Sequence, residues 1–141
     1  MGEAPGIWLP ATLAQQILEH TRATAPNEAV GLIGGHSDGH AVVVIPLPNL
    51  AGERAFLADP HAQFLAERRI AGAGLEIIAI YHSHPGGGLG FSAADRSFAS
   101  PWACTHIVIV PGRAAGDDEL MRAYGRGADD FVAVPIHVLN G

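Results

Sequence analysis

Residues 80–95 read IYHSHPGGGLGFSAAD: the end of an apolar run, a glycine-rich loop and the start of a new element. The apolar run 75–81 predicts a buried strand, with His82 and His84 at its end. Residues i and i+2 of a strand point to the same face of the sheet. We therefore expect the two imidazoles to converge, just before Pro85 and the glycines interrupt the strand.

Ser92 opens the element after the glycine loop, and Asp95 follows in the first turn of a predicted helix. Two imidazoles and one carboxylate, with a fourth position left for water, are the ligand set of a catalytic zinc site. The spacing therefore predicts that His82, His84 and Asp95 bind one Zn²⁺ per chain. The pair Ser92 and Asp95 also fits a capping box, whose polar residues only fix a helix start. The two roles are compatible, because a fixed first turn also aims the Asp95 side chain.

The composition predicts one globular domain spanning residues 1–141, since 48% of the residues are hydrophobic and 16% are charged. A net charge of -6 without a basic cluster argues against nucleic acid as a primary partner. Cys104 is the only cysteine, which excludes an intrachain disulfide and favours a reducing, cytoplasmic compartment. The chain has neither a signal-peptide pattern nor a long apolar run, so we expect no membrane partner.

The first half of the chain predicts two helices on either side of a β-hairpin. Apolar spacing and turn residues place a helix at Pro10–Ala25, strands at Glu28–Gly35 and His40–Leu47, and a short strand at Arg54–Ala58. The second helix runs from an Asp59 N-cap, with proline at the first helical position, to about Ala71. Its predicted buried positions are Phe64, Leu65 and Ile70.

The second half predicts mostly strands, at Leu75–His84, Thr105–Val110, Glu119–Gly125 and Asp130–Val138, with a helix at Ser92–Ser100. The resulting order is α-β-β-α-β-α-β-β-β. Such an order predicts the α/β class, as a three-layer arrangement of a mixed β-sheet flanked by helices.

Glu28 is the predicted general acid/base. Hydrolysis at a metal site needs a carboxylate that takes a proton from water and passes it to the leaving nitrogen. Glu28 stands at the mouth of an apolar strand, directly after Pro26-Asn27, where a charge is unfavourable unless it has a role. The alternative is a solvated strand end.

Glu28, then His82-Ser83-His84, seven residues, and Ser92-Ala-Ala-Asp95 resemble the JAMM motif, E-x(n)-H-[ST]-H-x(7)-S-x-x-D. The motif belongs to the metal-binding MPN domains of the Mov34/MPN/PAD-1 family, and the chain is similar to compact bacterial members over essentially its whole length. The resemblance implies a cytidine-deaminase-like α/β fold (a JAB/MPN domain). It also implies zinc ligation by the two histidines and Asp95, acid/base catalysis by Glu28, and a hydrogen bond from Ser92 to the developing oxyanion.

The resemblance further implies hydrolysis of an amide or isopeptide bond at the C terminus of a ubiquitin-like protein. Compact bacterial relatives act on small β-grasp sulfur-carrier proteins of the ThiS/MoaD type. They release cysteine from a carrier–cysteine adduct or trim a C-terminal extension. The chain lacks the long insertions with which deubiquitinating members grip ubiquitin, so a smaller carrier is expected. A homodimer is an expected assembly.

Four other functions fit the sequence less well. A non-catalytic MPN-type interaction module is the main alternative. Such modules usually lack one or more of the metal-binding residues, whereas this chain has all five motif residues. A serine hydrolase would need G-x-S-x-G, and Gly90-Phe-Ser-Ala-Ala94 lacks the last glycine. A phosphate-binding loop of the form G-x-G-x-x-G fails because position 91 is Phe, and the chain has no lysine. A zinc nucleobase deaminase needs P-C-x-x-C, which Cys104 alone cannot supply. His106, which opens a buried strand, is predicted to be a core residue and not a ligand.

Overall fold

The structure is a computed structural model that describes residues 6–51, 57–85, 88, 90–91, 93, 95–96, 104–110, 121–127 and 130–140. This part of the chain contains two helices and eight strands. Their bounds are β1 Ile7–Pro10, α1 Ala11–Thr24, β2 Val30–Gly35, β3 Ala41–Leu47, α2 Pro60–Gly72, β4 Glu76–Ser83, β5 Thr105–Ile109, β6 Met121–Arg126, β7 Phe131–Val134 and β8 Ile136–Leu139.

Six strands form one mixed sheet, in the order β3-β2-β4-β5-β6-β7. Strands β4 and β5 run parallel, and the other four neighbouring pairs run antiparallel. Strand β2 lies between β3 and β4, and all six of its residues are buried, as expected for a strand covered on both faces. A separate parallel pair joins β1 to β8. The predicted mixed sheet is confirmed.

The two faces of the sheet are covered by different helices. Successive residues of β2 point to opposite faces. Ile33 packs with Leu13 and Ile17 of α1, whereas Leu32 packs with Ile70 of α2. The sheet therefore lies between two helical layers, which confirms the predicted three-layer α/β class.

Helix α2 begins and ends as its sequence predicts. The Asp59 carboxylate accepts a hydrogen bond from the backbone N–H of His61 at 3.0 Å, and Pro60 occupies the first helical position. Gly74 follows the helix with φ +76°, a left-handed conformation that glycine adopts without a steric penalty.

The predicted buried face of α2 is partly wrong. Phe64 and Leu65 are each 52% exposed, whereas Ala66 and Ile70 are buried. Residues four apart share one face of a helix, so burial of Ala66 and Ile70 turns the two larger side chains towards solvent. Of the three predicted positions, only Ile70 packs against the sheet.

Both ends of the chain also differ from the prediction. Residues 7–10 form strand β1, so Pro10 is the N-cap of α1 and the helix begins one residue later. The predicted strand Asp130–Val138 is interrupted at Pro135, which has no N–H for a strand ladder. It becomes β7 in the main sheet and β8 beside β1.

Two predicted elements lie partly outside the described residues. Of the predicted strand Arg54–Ala58, Ala58 forms an isolated antiparallel bridge with Asn49. Of the predicted helix Ser92–Ser100, residues 93, 95 and 96 are helical. Neither α1 nor α2 has the length and apolar character needed to cross a membrane, nor does any other helix in the described ranges.

Candidate metal centre

The two histidines predicted to converge do so. His82 pairs with Val30 of β2 and Val108 of β5, so its side chain lies on the face of the sheet that α2 covers. His84 follows the strand end, and its Nε2 atom lies 3.1 Å from the Nε2 atom of His82. The His82 side chain is fully buried and that of His84 is 20% exposed. Two ring nitrogens thus meet at the point where β4 ends.

Asp95 brings a carboxylate to the same point from a different segment. Its Oδ1 atom lies 2.8 Å from Nε2 of His82, and its Oδ2 atom lies 3.3 Å from Nε2 of His84. Asp95 is 3% exposed and is helical, like the described residues 93 and 96. The side chains of His82, His84 and Asp95 therefore converge, and each pair of them is in contact at 2.8–3.3 Å.

The imidazole of His84 is oriented by the loop that follows it. Its Nδ1 atom lies 2.9 Å from the carbonyl oxygen of Gly88. A carbonyl only accepts hydrogen bonds, so Nδ1 carries a proton and Nε2 faces the other donors. The hydrogen bond to Asp95 raises the pKa of His84 above its ordinary value, and burial opposes that shift.

Glu28, two residues before β2, completes the cluster. It is 9% exposed, and a carboxylate oxygen of Glu28 and one ring nitrogen each of His82 and His84 lie within 4.8 Å of one another. Burial raises the pKa of the Glu28 carboxyl above its ordinary value, His82 and His84 oppose the shift, and Asp95 adds to it. Two carboxylates, Glu28 and Asp95, thus flank one pair of imidazoles.

Contacts between β2, β4 and the segment after β3 hold Glu28 in place. The Ser83 hydroxyl accepts a hydrogen bond from the N–H of Ala29 at 2.7 Å, and the N–H of Ser83 donates to the Ala29 carbonyl at 3.0 Å. The Asn49 side chain donates to the Glu28 carbonyl at 2.8 Å. The sequence prediction gave Ser83 and Asn49 no role, although the hydroxyl between the two motif histidines was a signal.

Ser92, the predicted oxyanion donor, lies outside the described residues. Its neighbour Phe91 is buried and packs against the rings of Tyr124 and Phe131, with centroid distances of 4.8 and 5.1 Å. His106 borders this group and is fully buried. Burial lowers the pKa of His106 to about 4, and nearby His82 contributes to the shift. His106 therefore lies in the core beside the donor cluster, as predicted.

Cys104, the single cysteine, takes no part in the cluster. It packs at the edge of the apolar core on the α2 side of the sheet, and burial raises the pKa of its thiol to about 11. A thiol with so high a pKa is protonated at neutral pH and is a poor nucleophile.

Three known proteins share much of this sequence or fold. A "probable TtuB-protein conjugate cleaving protease" of Thermus thermophilus is 40% identical over 83 residues, which are 57% of this chain and 55% of that protein. The chain thus matches just over half of that relative's length. A desampylase of Haloferax volcanii is 31% identical over 137 residues, covering 92% of this chain and 94% of that protein. The solution structure of a Desulfitobacterium hafniense protein superposes with a TM-score of 0.83, at 27% identity, covering 96% of this chain and 94% of that one.

A family profile matches the chain as well. The profile, described as prokaryotic homologs of the JAB domain, matches residues 10–124, which contain all five positions of the JAMM motif. The sequence resemblance to the JAMM/MPN group is thereby confirmed. This chain belongs to the prokaryotic JAB-domain family.

Proposed function

We propose that this chain is a zinc-dependent metallopeptidase of the JAMM type. Its proposed reaction is cleavage of the amide or isopeptide bond after the C-terminal Gly-Gly of a small ubiquitin-like sulfur-carrier protein with a β-grasp fold. The observation that carries the proposal is the convergence of His82, His84 and Asp95, with Glu28 beside them. The proposed unit is a single domain spanning residues 1–141, with one Zn²⁺ per chain.

The donor set fits zinc in both chemistry and size. Zinc takes imidazole nitrogen and carboxylate oxygen ligands at about 2.0–2.2 Å, so donors at the corners of a tetrahedron lie about 3.3–3.5 Å apart. The Nε2 atoms of His82 and His84 lie 3.1 Å apart, and the two oxygens of Asp95 lie 2.8 Å from His82 and 3.3 Å from His84, respectively. Asp95 is the proposed third ligand because its two oxygens contact both histidines.

The proposed chemistry divides between the metal and Glu28. Zinc in this site would polarise the scissile carbonyl and make a water molecule more acidic. Glu28 takes a proton from the attacking water, whose oxygen forms a bond to the glycine carbonyl carbon. The C–N bond then breaks, and Glu28 returns the proton to the leaving nitrogen. Ser92 is the proposed hydrogen-bond donor to the oxyanion, on the basis of its motif position.

The substrate class is supported by relatives and by the site's shape. One relative is named for the cleavage of protein conjugates, and the other is named a desampylase. His82, Asp95 and Glu28 are all at most 9% exposed, so a scissile carbonyl must approach closely. A terminal Gly-Gly permits that approach because it carries no side chains. A carrier–cysteine adduct offers the same bond with a smaller leaving group.

The proposal also covers compartment and assembly. The single cysteine agrees with a reducing, cytoplasmic compartment. A homodimer is the proposed assembly by analogy with the family, and the molar mass in solution tests it.

A cleavage assay tests the proposed reaction. A β-grasp carrier extended beyond its Gly-Gly, and a carrier–cysteine adduct, are incubated with zinc-loaded protein, and the products are identified by mass spectrometry. We expect cleavage directly after Gly-Gly, abolished by a zinc chelator and by His84→Ala. Similar rates on unrelated unfolded peptides would indicate a general peptidase. A zinc-loaded protein that binds a carrier but cleaves neither substrate would be an interaction module.

A further inference from the structure

Asp95 reaches the two histidines from outside the sheet. Strand β4 ends at Ser83 and β5 begins at Thr105, so Asp95 belongs to the long connection between these two strands. The position of its carboxylate therefore depends on the contacts that fix this connection to the rest of the fold. The residue directly after it, Arg96, makes several such contacts.

The guanidinium of Arg96 binds both oxygens of one carboxylate. Its Nε atom donates to Oδ1 of Asp130 at 2.9 Å, and its Nη2 atom donates to Oδ2 at 3.2 Å. Two parallel hydrogen bonds of this kind fix the orientation of both groups as well as their distance. The pKa of the Asp130 carboxyl lies below its ordinary value because of the hydrogen bond from Arg96.

Asp130 is itself anchored to the sheet. Its Oδ1 atom accepts a hydrogen bond from the N–H of Phe131 at 2.7 Å, and its carbonyl accepts one from the N–H of Gly127 at 2.8 Å. These residues close the turn between β6 and β7, where Arg126 and Phe131 are register partners. Arg96 is thus tied to a hairpin of the main sheet, 34 residues further along the chain.

The same guanidinium also holds the glycine-loop side of the connection. Its Nη1 atom donates to the carbonyl of Phe91, and its central carbon lies 5.6 Å from the centre of the Phe91 ring. Phe91 precedes Ser92 and packs in the aromatic group with Tyr124 and Phe131. One side chain therefore joins the residue before Ser92, the turn that carries Asp95, and the β6–β7 hairpin.

We propose that Arg96 is a positioning residue for the metal centre: by binding Asp130 and the Phe91 carbonyl together, it holds the turn that presents Asp95 to His82 and His84. The inference rests on the proposed zinc site. An exposed ion pair stabilises a fold only slightly, and the Arg96 and Asp130 side chains are 44% and 55% exposed. The main consequence of losing the pair should therefore be a weaker metal centre and not an unfolded protein.

The test compares zinc affinity and stability in four variants of the full chain. Residues that orient a metal ligand typically contribute about 10–100-fold to metal affinity or activity. We expect Arg96→Ala to lower zinc affinity, measured by chelator competition, by about 10-fold, with Tm close to wild type. Asp130→Asn should act in the same direction. Arg96→Lys keeps the positive charge but cannot form the two parallel hydrogen bonds of the guanidinium, so we expect an intermediate zinc affinity.

Arg68→Ala is the matched control. Arg68 is an exposed arginine on α2 whose guanidinium lies 5.7 Å from the centre of the Phe64 ring, so it makes the same kind of ring contact. Its removal should leave zinc affinity unchanged. Co²⁺ substituted for zinc adds a spectroscopic readout, because its visible bands report ligand geometry and should shift in Arg96→Ala but not in Arg68→Ala.

The outcomes separate this inference from the proposed function. If wild type binds zinc and cleaves its substrate, while Arg96→Ala keeps wild-type zinc affinity and Co²⁺ bands, the positioning role is wrong and the function stands. If Arg96→Ala loses zinc only in proportion to a large fall in Tm, Arg96 is merely structural and the inference is also wrong. A wild-type chain that binds no zinc overturns both.

Discussion

The ring of Tyr81 covers Gly31 directly across the centre of the sheet. The two residues are register partners of β4 and β2, and a Cβ atom built on Gly31 would lie 2.3 Å from the ring. The Tyr81 hydroxyl, in turn, lies 2.6 Å from Nδ1 of His20 on α1. Because Gly31 has no side chain, the Tyr81 ring can pack directly on it. Tyr81 precedes His82, so this packing helps to hold the strand that carries the candidate metal centre.

Gly31→Ala should therefore be destabilising. The added methyl group would overlap a fully buried ring, and overpacking of this kind typically costs about 1–3 kcal/mol. The measurement is the free energy of unfolding in denaturant. Gly72→Ala is the control, because a Cβ at Gly72, the last residue of α2, would have no neighbour within 4 Å among the described residues. Equal stability of the two variants would contradict the close packing of Tyr81 on Gly31.

The purified protein should contain close to one zinc ion per chain. His82→Ala and His84→Ala should each lose most of it, because a site with three protein ligands binds far more weakly with two. Metal analysis by mass spectrometry measures the content. His61→Ala, which removes an exposed histidine on α2, should keep full zinc content. Wild type without zinc, even after refolding with added zinc, would contradict the catalytic proposal.

Glu28→Gln should keep zinc but lose hydrolysis. The amide has the shape of the carboxylate but cannot take the proton from water, and a general acid/base contributes about 10²–10⁴-fold to the rate. Zinc content and kcat are measured on the same sample, with Glu76→Gln, on the first residue of β4, as a control. Glu28 also belongs to a donor group with His82 and His84. Loss of zinc in parallel with activity would therefore identify Glu28 as a ligand.

A bulky residue in place of the carrier's last glycine should slow cleavage severely. His82, Asp95 and Glu28 are at most 9% exposed, so a side chain beside the scissile carbonyl would hinder its close approach to them. A glycine at this position has no side chain and avoids that hindrance. The rates for Gly and Val at the last carrier position are compared by mass spectrometry. Equal rates would show that the site does not select for glycine.

Stability should fall as the pH drops from about 6.5 to 4, in part because of His106. Burial lowers its folded-state pKa to about 4, whereas an unfolded histidine titrates near 6.5. Between these two pH values the unfolded state binds a proton that the folded state does not. The free energy of unfolding therefore falls by on the order of 3 kcal/mol across this range. Unfolding free energies at several pH values should show a shallower dependence for His106→Gln. An unchanged slope would contradict a neutral buried His106.

Local sequence patterns predicted most of the secondary structure and named His82, His84 and Asp95 as candidate metal ligands. The i, i+2 spacing of His82 and His84 fixed their common direction, because side chains alternate along a strand. The Asp59-Pro60 pair fixed the start of α2, because a cap and an N1 proline act within one turn. Such signals need only neighbouring residues, so they can be read without the fold.

Long-range pairing decided the rest. The approach of Glu28 to the histidines depends on the register of β2 against β4 and on the Ser83–Ala29 hydrogen bonds, 54 residues apart in the chain. The contact of Arg96 with Asp130 and the division of the last predicted strand between two sheets are decided in the same way. Hydrophobic patterning shows which residues of a strand are buried, but it does not identify the partner strand. That choice depends on packing the whole core at once, and only the tertiary structure contains it.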